Sequence, residues 1–421
     1  MSYSPSRGWS RLRLLLLLSF STGACAAHFP PCPASGGPTW RELSSDHFRL
    51  RTDFDLDDAR VALRELEDLR AALLTCFRAR VDLPTGRVPV IAVREGWGDF
   101  ADDGLGGFFT NALFSPLVVL RAGDSIGRQE AIKHELVHYL SQKVIPTQPP
   151  WFAEGLADYF RTIEYDPDEH RITVGRPPAD LLRVVRQGGL LDVADMLATT
   201  SIHSDDRGLF YPSAWFMVHY LMNHRAAALA AYGHALLRSS AQAAWAEAFA
   251  GLSAKQLDLE LGRYLDGGQY ALLIYRFDPP ATPIIEERTL TDADVHATRA
   301  LLLALASRVS AMQTDSDARD AAKMRARLEI AEAFRQEPAH LLAQGIEHWM
   351  LGARTHLDEA RAATKSNPTH WMAWALLVEA LQEHHIDEGR TEAFGKTLDL
   401  ADADPAVNLQ RASLHSRLPP P

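Results

Sequence analysis

Apolar and polar positions change period along this chain, and each change marks an element. His47 to Thr52 alternates as a half-buried strand does. Leu56, Ala59, Leu63, Leu66, Leu73 and Phe77 then recur at helical spacing, which predicts a helix over 56–81. Val88 to Val93 is an apolar run of strand length, and after Gly106-Gly107-Phe108-Phe109 a further strand is expected from Pro116 to Ala122. The helical period returns at Ile132, Leu136, Tyr139 and Leu140, with Gly127 ahead of the run, Glu130 in its first turn, and Pro146, Pro149 and Pro150 closing it. A second helix opens at Trp151, where Phe152, Leu156, Phe160 and Ile163 form an apolar stripe. Tyr165 to His170 reads as the turn of a hairpin between residues 162–164 and 171–174. Pro212 suits a first helical position, which would leave Tyr211 at the helix entrance, its phenol free to point into a cleft.

From about residue 282 the strand signals give way to helices. Glu337-Pro338, Asn367-Pro368 and Asp404-Pro405 each put an acid or Asn before a proline at an expected helix start. The prolines are 30 and 37 residues apart, on either side of the tetratricopeptide period, and the segment resembles degenerate tetratricopeptide repeats. Such units bury little alone, so they stack on one another or dock against the domain before them. A groove for a protein partner and a structural cap both fit that pattern. The fold class expected is α+β: a small mixed sheet with active-site helices over 40–281, then an all-α repeat region over 282–421.

The chemistry concentrates in the two central helices. In His134-Glu135-Leu136-Val137-His138, the histidines lie about 40° apart around a helix and one turn apart along it, so both can reach one metal ion. Glu154 and Asp158, four apart on the next helix, share the side opposite its apolar stripe and can face them. Two His and one Glu complete the protein's share of a catalytic zinc site, which keeps one position for water. Asp158 is a candidate to accept the free ring N–H of a ligand histidine and fix its tautomer.

His134-Glu135-x-x-His138 followed by Trp151-Phe-x-Glu154-Gly155-x-Ala157-x-Tyr159-Phe160 resembles the gluzincin metallopeptidases, in particular the bacterial peptidase-MA-like domains, over about residues 40–280. The resemblance implies one Zn2+ on His134, His138 and Glu154, a general base at Glu135, and Tyr211 as donor to the oxyanion. The gap from His138 to Glu154 is shorter than in thermolysin or the zinc aminopeptidases, so their substrate class is not implied. Zinc-dependent peptide hydrolysis is the function expected. The alternatives are a zinc hydrolase of other amides or esters, and an inactive zinc-binding envelope scaffold whose repeats hold a partner. A core role for Tyr211 stands beside the oxyanion role, and His203 and His219 are further candidates. The strand at 116–122 could be the cleft edge on which an extended peptide adds, or an ordinary edge.

Composition narrows the setting. With 47% hydrophobic and 23% charged residues the chain can bury a core, and 421 residues suit two or three domains. Arg7, Arg11 and Arg13, then Leu14 to Phe20, then Thr22-Gly23-Ala24-Cys25 read as an export leader over 1–25. Cys25 is either the lipidated first residue of an envelope lipoprotein or part of an ordinary cleavage site, and 26–39, rich in Pro, Gly, Ala and Ser, reads as a tether. The periplasm, or its membrane through that anchor, is the expected location. Cys32 and Cys76 could pair there, or Cys76 could be buried and Cys32 loose. The formal charge of −11 makes nucleic acid an unsuitable partner; a peptide or protein substrate is what the metallopeptidase resemblance implies.

Overall fold

The computed structural model describes residues 29–77, 87–102, 104–113, 115–122, 129–202, 207–309 and 315–403. The leader with Cys25, Gly127, His203 and the Asp404-Pro405 turn lie outside them. The fold is mixed α and β. Up to residue 202 the elements are strands β1 (Arg41–Ser44), β2 (Phe48–Thr52), β3 (Val88–Val93), β4 (Gly107–Ala112), β5 (Ser115–Arg121), β6 (Glu164–Asp166) and β7 (Arg171–Val174), and helices α1 (Leu56–Phe77), α2 (Glu130–Val144), α3 (Pro150–Phe160), α4 (Ala179–Gly188) and α5 (Val193–Ala198). Beyond it come α6 (Arg207–His224), α7 (Ala226–Leu236), α8 (Ala241–Ala248), α9 (Ala254–Gly267), β8 (Leu273–Arg276) and β9 (Glu286–Thr289). The last helices are α10 (Asp292–Arg308), α11 (Ser316–Gln336), α12 (Leu341–Gly345), α13 (Leu357–Ser366), α14 (Trp371–Glu383) and α15 (Arg390–Ala403).

Six strands form one sheet in the order β4-β5-β3-β2-β1-β9, parallel at β2/β3 and β3/β5 and antiparallel elsewhere. Strand alternation sends side chains to two different cores. Leu50, Val88, Val90, Ala92, Val118 and Leu120 pack with α1, α2 and α3. Ile91, Val93, Leu117 and Val119 face the other way, onto α10. That helix is apolar almost all round, because the sheet covers one side of it and α11 the other. The central sheet is thus the middle of three layers, and the C-terminal helices supply one of them.

Three expectations are corrected here. The segment beyond 281 opens with a strand: β9 pairs with β1, placing Glu42 between Arg51 on β2 and Arg288 on β9, at 2.7 and 2.9 Å. Opposite charges directly across neighbouring strands stabilise the pairing, so Glu286 to Thr289 form a strand with no apolar pattern. Residues 29–39 are docked, not a tether: Phe29 stacks on Phe100, Cys32 is buried, and the Ala34 N–H donates to Asp292. Cys32 and Cys76 do not pair. Both are free and buried, in the cores on opposite sides of the sheet.

The proline turns do recur as one geometry. The His340 N–H donates to the Glu337 carbonyl and the His370 N–H to that of Asn367, after which each imidazole Nδ1 caps the helix that follows. Among the described residues no helix is long and apolar enough to cross a membrane.

Candidate metal centre

The site stands where α2 and α3 run side by side beneath β4. Ile132, Leu136, Val137 and Leu140 bury one side of α2 completely, which turns His134, Glu135 and His138 toward α3. The Lys133 ammonium is buried too and donates to the Ile163 carbonyl at 2.7 Å, tying α2 to the chain just past α3. Pro149 and Pro150 start α3, with Pro150 at a position where its missing N–H costs nothing. Gly155 then lets α3 lie directly on α6: a Cβ there would stand 2.5 Å from Val218 Cγ2 and 2.6 Å from the Ala214 carbonyl oxygen. This close crossing presents Glu154 and Asp158 to the histidines.

Nε2 of His134 and Nε2 of His138 are 3.0 Å apart, and each is 3.4 Å from Oε2 of Glu154. Donors about 2.0 to 2.1 Å from a tetrahedral ion lie about 3.3 Å from one another, so this triangle has the dimensions of three ligand atoms around one metal. Asp158, 3% exposed, has Oδ1 3.2 Å from Nδ1 of His134. Nδ1–H donates to that carboxylate, which leaves the Nε2 lone pair directed at the centre of the triangle. His134, His138, Glu154 and Asp158 are therefore brought together as the spacing predicts.

Charge points to the same place. Burial alone would lower the His134 pKa, but Asp158 and Glu154 outweigh it and hold it well above the imidazole range. Burial would likewise raise Glu154, yet the hydrogen bonds to both histidines hold its carboxyl at about 2. Both shifts have one origin: the carboxylates of Asp158 and Glu154 and the imidazole of His134 each stabilise the charged form of the other. Arg161 joins this cluster, with Nη1 3.6 Å from the same Asp158 oxygen and Nε 3.3 Å from Glu130. Glu135 is raised chiefly by its burial and further by Glu154, against the histidines and the Phe109 N–H that donates to it.

The cleft over this site has a volume of about 460 Å³ and is lined by His134, Glu135, Asp158, Arg161, Leu181 and Tyr211, among others. Tyr211 reaches it from inside a helix, because α6 begins at Arg207 and Pro212 is an internal residue; the expected helix entrance at Pro212 is corrected. His219 does not face the cleft. It is fully buried, with Nε2–H donating to the Gly175 carbonyl at 2.9 Å and Nδ1 accepting from the Tyr264 hydroxyl at 2.9 Å. It is a satisfied core histidine.

The cleft strand is also a correction. β5 lies inside the sheet, and β4 is its edge. The Arg121 N–H donates to the Gly106 carbonyl, which sets the ladder so that the main-chain groups of Gly107, Phe109 and Asn111 point away from β5. Phe109 N–H uses that direction to reach Glu135. Arg161, Lys133 and this amide are site residues that the motif does not contain. Only Arg161 left a sequence signal, its spacing of three from Asp158 on a helix.

A scan against models of known protein families finds no match to this chain, and a search of curated proteins finds no relative.

Proposed function

We propose that the protein is a zinc-dependent peptidase of gluzincin type. The observation that carries this reading is the triangle of His134 Nε2, His138 Nε2 and Glu154 Oε2, with the half-buried carboxylate of Glu135 beside it and outside it. These three residues would hold a zinc ion, which would supply a Lewis acid for a carbonyl and for water at neutral pH. Asp158 fixes the tautomer and direction of His134. Glu135, raised by burial, takes the proton of the attacking water and returns it to the leaving amine. The Tyr211 phenol, on the same cleft, donates to the oxyanion. The outward main-chain groups of Gly107 and Asn111 on β4 are hydrogen-bonding partners for an extended substrate. The docking of α10 on the sheet supports a structural cap as one role of the C-terminal helices, and the leader pattern supports export.

Metal analysis tests the reading. The purified chain is expected to hold about one zinc, and His134→Ala, His138→Ala and Glu154→Ala are each expected to lose most of it. A folded wild type that takes up no metal from zinc buffer refutes the site.

A further inference from the structure

A second cluster of reactive groups lies on the far side of the sheet, among the segment 29–37, α10 and α11. Cys32 Sγ is 3.3 Å from Nε2 of His296, and Nδ1 of the same ring is 2.6 Å from Glu329 Oε2. Arg299 Nη1 donates to the sulfur at 3.4 Å. The arrangement is held from several directions. The Cys32 carbonyl accepts from the Ser35 and Gly37 N–H groups, Arg299 also donates to the Pro31 carbonyl, and its guanidinium lies 5.2 Å over the Phe29 ring. Cys32, His296 and Arg299 line a cleft of about 790 Å³ with Pro31, Glu332 and Arg335, a size that admits a small molecule.

We propose that Cys32 is a reactive thiol, partnered by His296 and Glu329, that forms a mixed disulfide with a small disulfide entering this cleft. The sulfur has two N–H donors aimed at it, one a guanidinium and the other an imidazole carrying a carboxylate on its far nitrogen. Burial would lower the His296 pKa, but Cys32 and Glu329 outweigh it and raise it to about 9. The geometry sets the His296 imidazole and the Arg299 guanidinium on one sulfur, with the cleft open beside it. The other charged groups around it are arranged in pairs or face outward. Asp292 of α10 accepts from Ala34, Glu332 and Arg335 of α11 bind each other at 2.8 Å, and Arg325 of α11 holds Asp99 at 2.7 Å.

In the step itself, the thiol proton rests on His296 Nε2 and Sγ attacks one sulfur of the disulfide. The Cys32–S bond forms, the original S–S bond breaks, and its electron pair leaves on the second sulfur, which takes the proton from His296. Cys32 is oxidised and half of the incoming disulfide is reduced to a free thiol. Cys76 is the internal contrast. Among the described residues it has no such partners, and burial pushes its thiol up to about 12.

The test treats the folded full chain with glutathione disulfide and, separately, iodoacetamide, with peptide mapping to assign the modified cysteine. At pH 7 Cys32 is expected to react at least about tenfold faster than Cys76. His296→Asn is expected to slow Cys32 about tenfold at pH 7 while leaving the rate at pH 10 within about twofold, because every accessible thiol is ionised there. Glu329→Gln, which keeps a hydrogen-bond acceptor but removes the charge, is expected to slow it at pH 7 by a smaller factor. It also reads out the partnership if His296→Asn does not fold. Equal rates for Cys32 and Cys76 overturn the proposal, as does a pH 7 rate unchanged by Glu329→Gln. Equal slowing at pH 7 and pH 10 in His296→Asn also overturns it, by showing that the ring controls only access.

Discussion

Replacing Gly155 by alanine tests how closely α3 is seated on α6. The added Cβ meets Val218 Cγ2 at 2.5 Å, the Ala214 carbonyl oxygen at 2.6 Å and its carbon at 3.0 Å. Val218 and Ala214 are fully buried on α6, so no side-chain rotation relieves the contact with the backbone oxygen. Reaching an ordinary separation of 3.4 Å requires α3 to move away from α6 by most of an ångström. Overpacking of this kind costs about 1–3 kcal/mol, and the helix-forming advantage of alanine returns about 0.5–1 kcal/mol. The net is a loss of up to roughly 2.5 kcal/mol. Gly262 on α9 has nothing within 4 Å of the same position, so Gly262→Ala is expected to gain roughly 0.5–1 kcal/mol. The assay is urea unfolding of both variants in chelator, so that metal binding does not contribute, with the slope compared to confirm that the unfolding transition is the same. Repeating it with zinc should widen the Gly155→Ala deficit, since the displaced α3 carries Glu154 and binding to the native state adds to stability. A Gly155→Ala protein at least as stable as the wild type refutes the close helix crossing.

Asp158→Asn keeps an acceptor for His134 Nδ1–H but removes the charge, and is expected to weaken zinc binding about 10- to 100-fold. Competition with a chromophoric chelator measures it, and unchanged affinity would mean that Asp158 does not orient the ligand. Glu42 gives a pH prediction. Burial would raise its carboxyl, but Arg51 and Arg288 outweigh it and hold it at about 2, below the ordinary 4.5. A depressed native value stabilises the fold above pH 4.5 and loses that contribution as pH falls through about 2. The contribution is about 2 kcal/mol, because Arg288 is half in solvent. Glu42→Gln is expected to flatten the stability curve between about pH 5 and 2; a curve parallel to that of the wild type would count against the charge ladder.

The cluster of His134, His138, Glu154 and Asp158 was legible because helical spacing alone turns these residues to one side while apolar residues fill the other. What the pattern hides depends on partners distant in sequence. β9 carries only Glu, Arg and Thr and becomes a strand because Glu42 and β1 wait across from it. β4 begins with a glycine that weakens strand propensity, so the edge strand over the site was read one strand too late. The proline rule failed at Pro212 because buried Phe210, Ala214, Trp215 and Met217 hold α6 together across one missing hydrogen bond. Residues 29–37 have the composition of a tether, and only the wall offered by Phe100, α10 and α11 makes Phe29 and Cys32 part of a core.

The measurement that reaches the central claim most directly is peptide cleavage by Glu135→Gln beside the wild type, both with their zinc content determined. Glu135 lies outside the ligand triangle, so the variant is expected to fold and keep about one zinc per chain while cleavage falls by about 10² to 10⁴. Substrates would span a denatured protein and an endo- and aminopeptidase peptide library, with a zinc chelator as control. A zinc-loaded wild type that cleaves nothing Glu135→Gln leaves intact contradicts the peptidase reading.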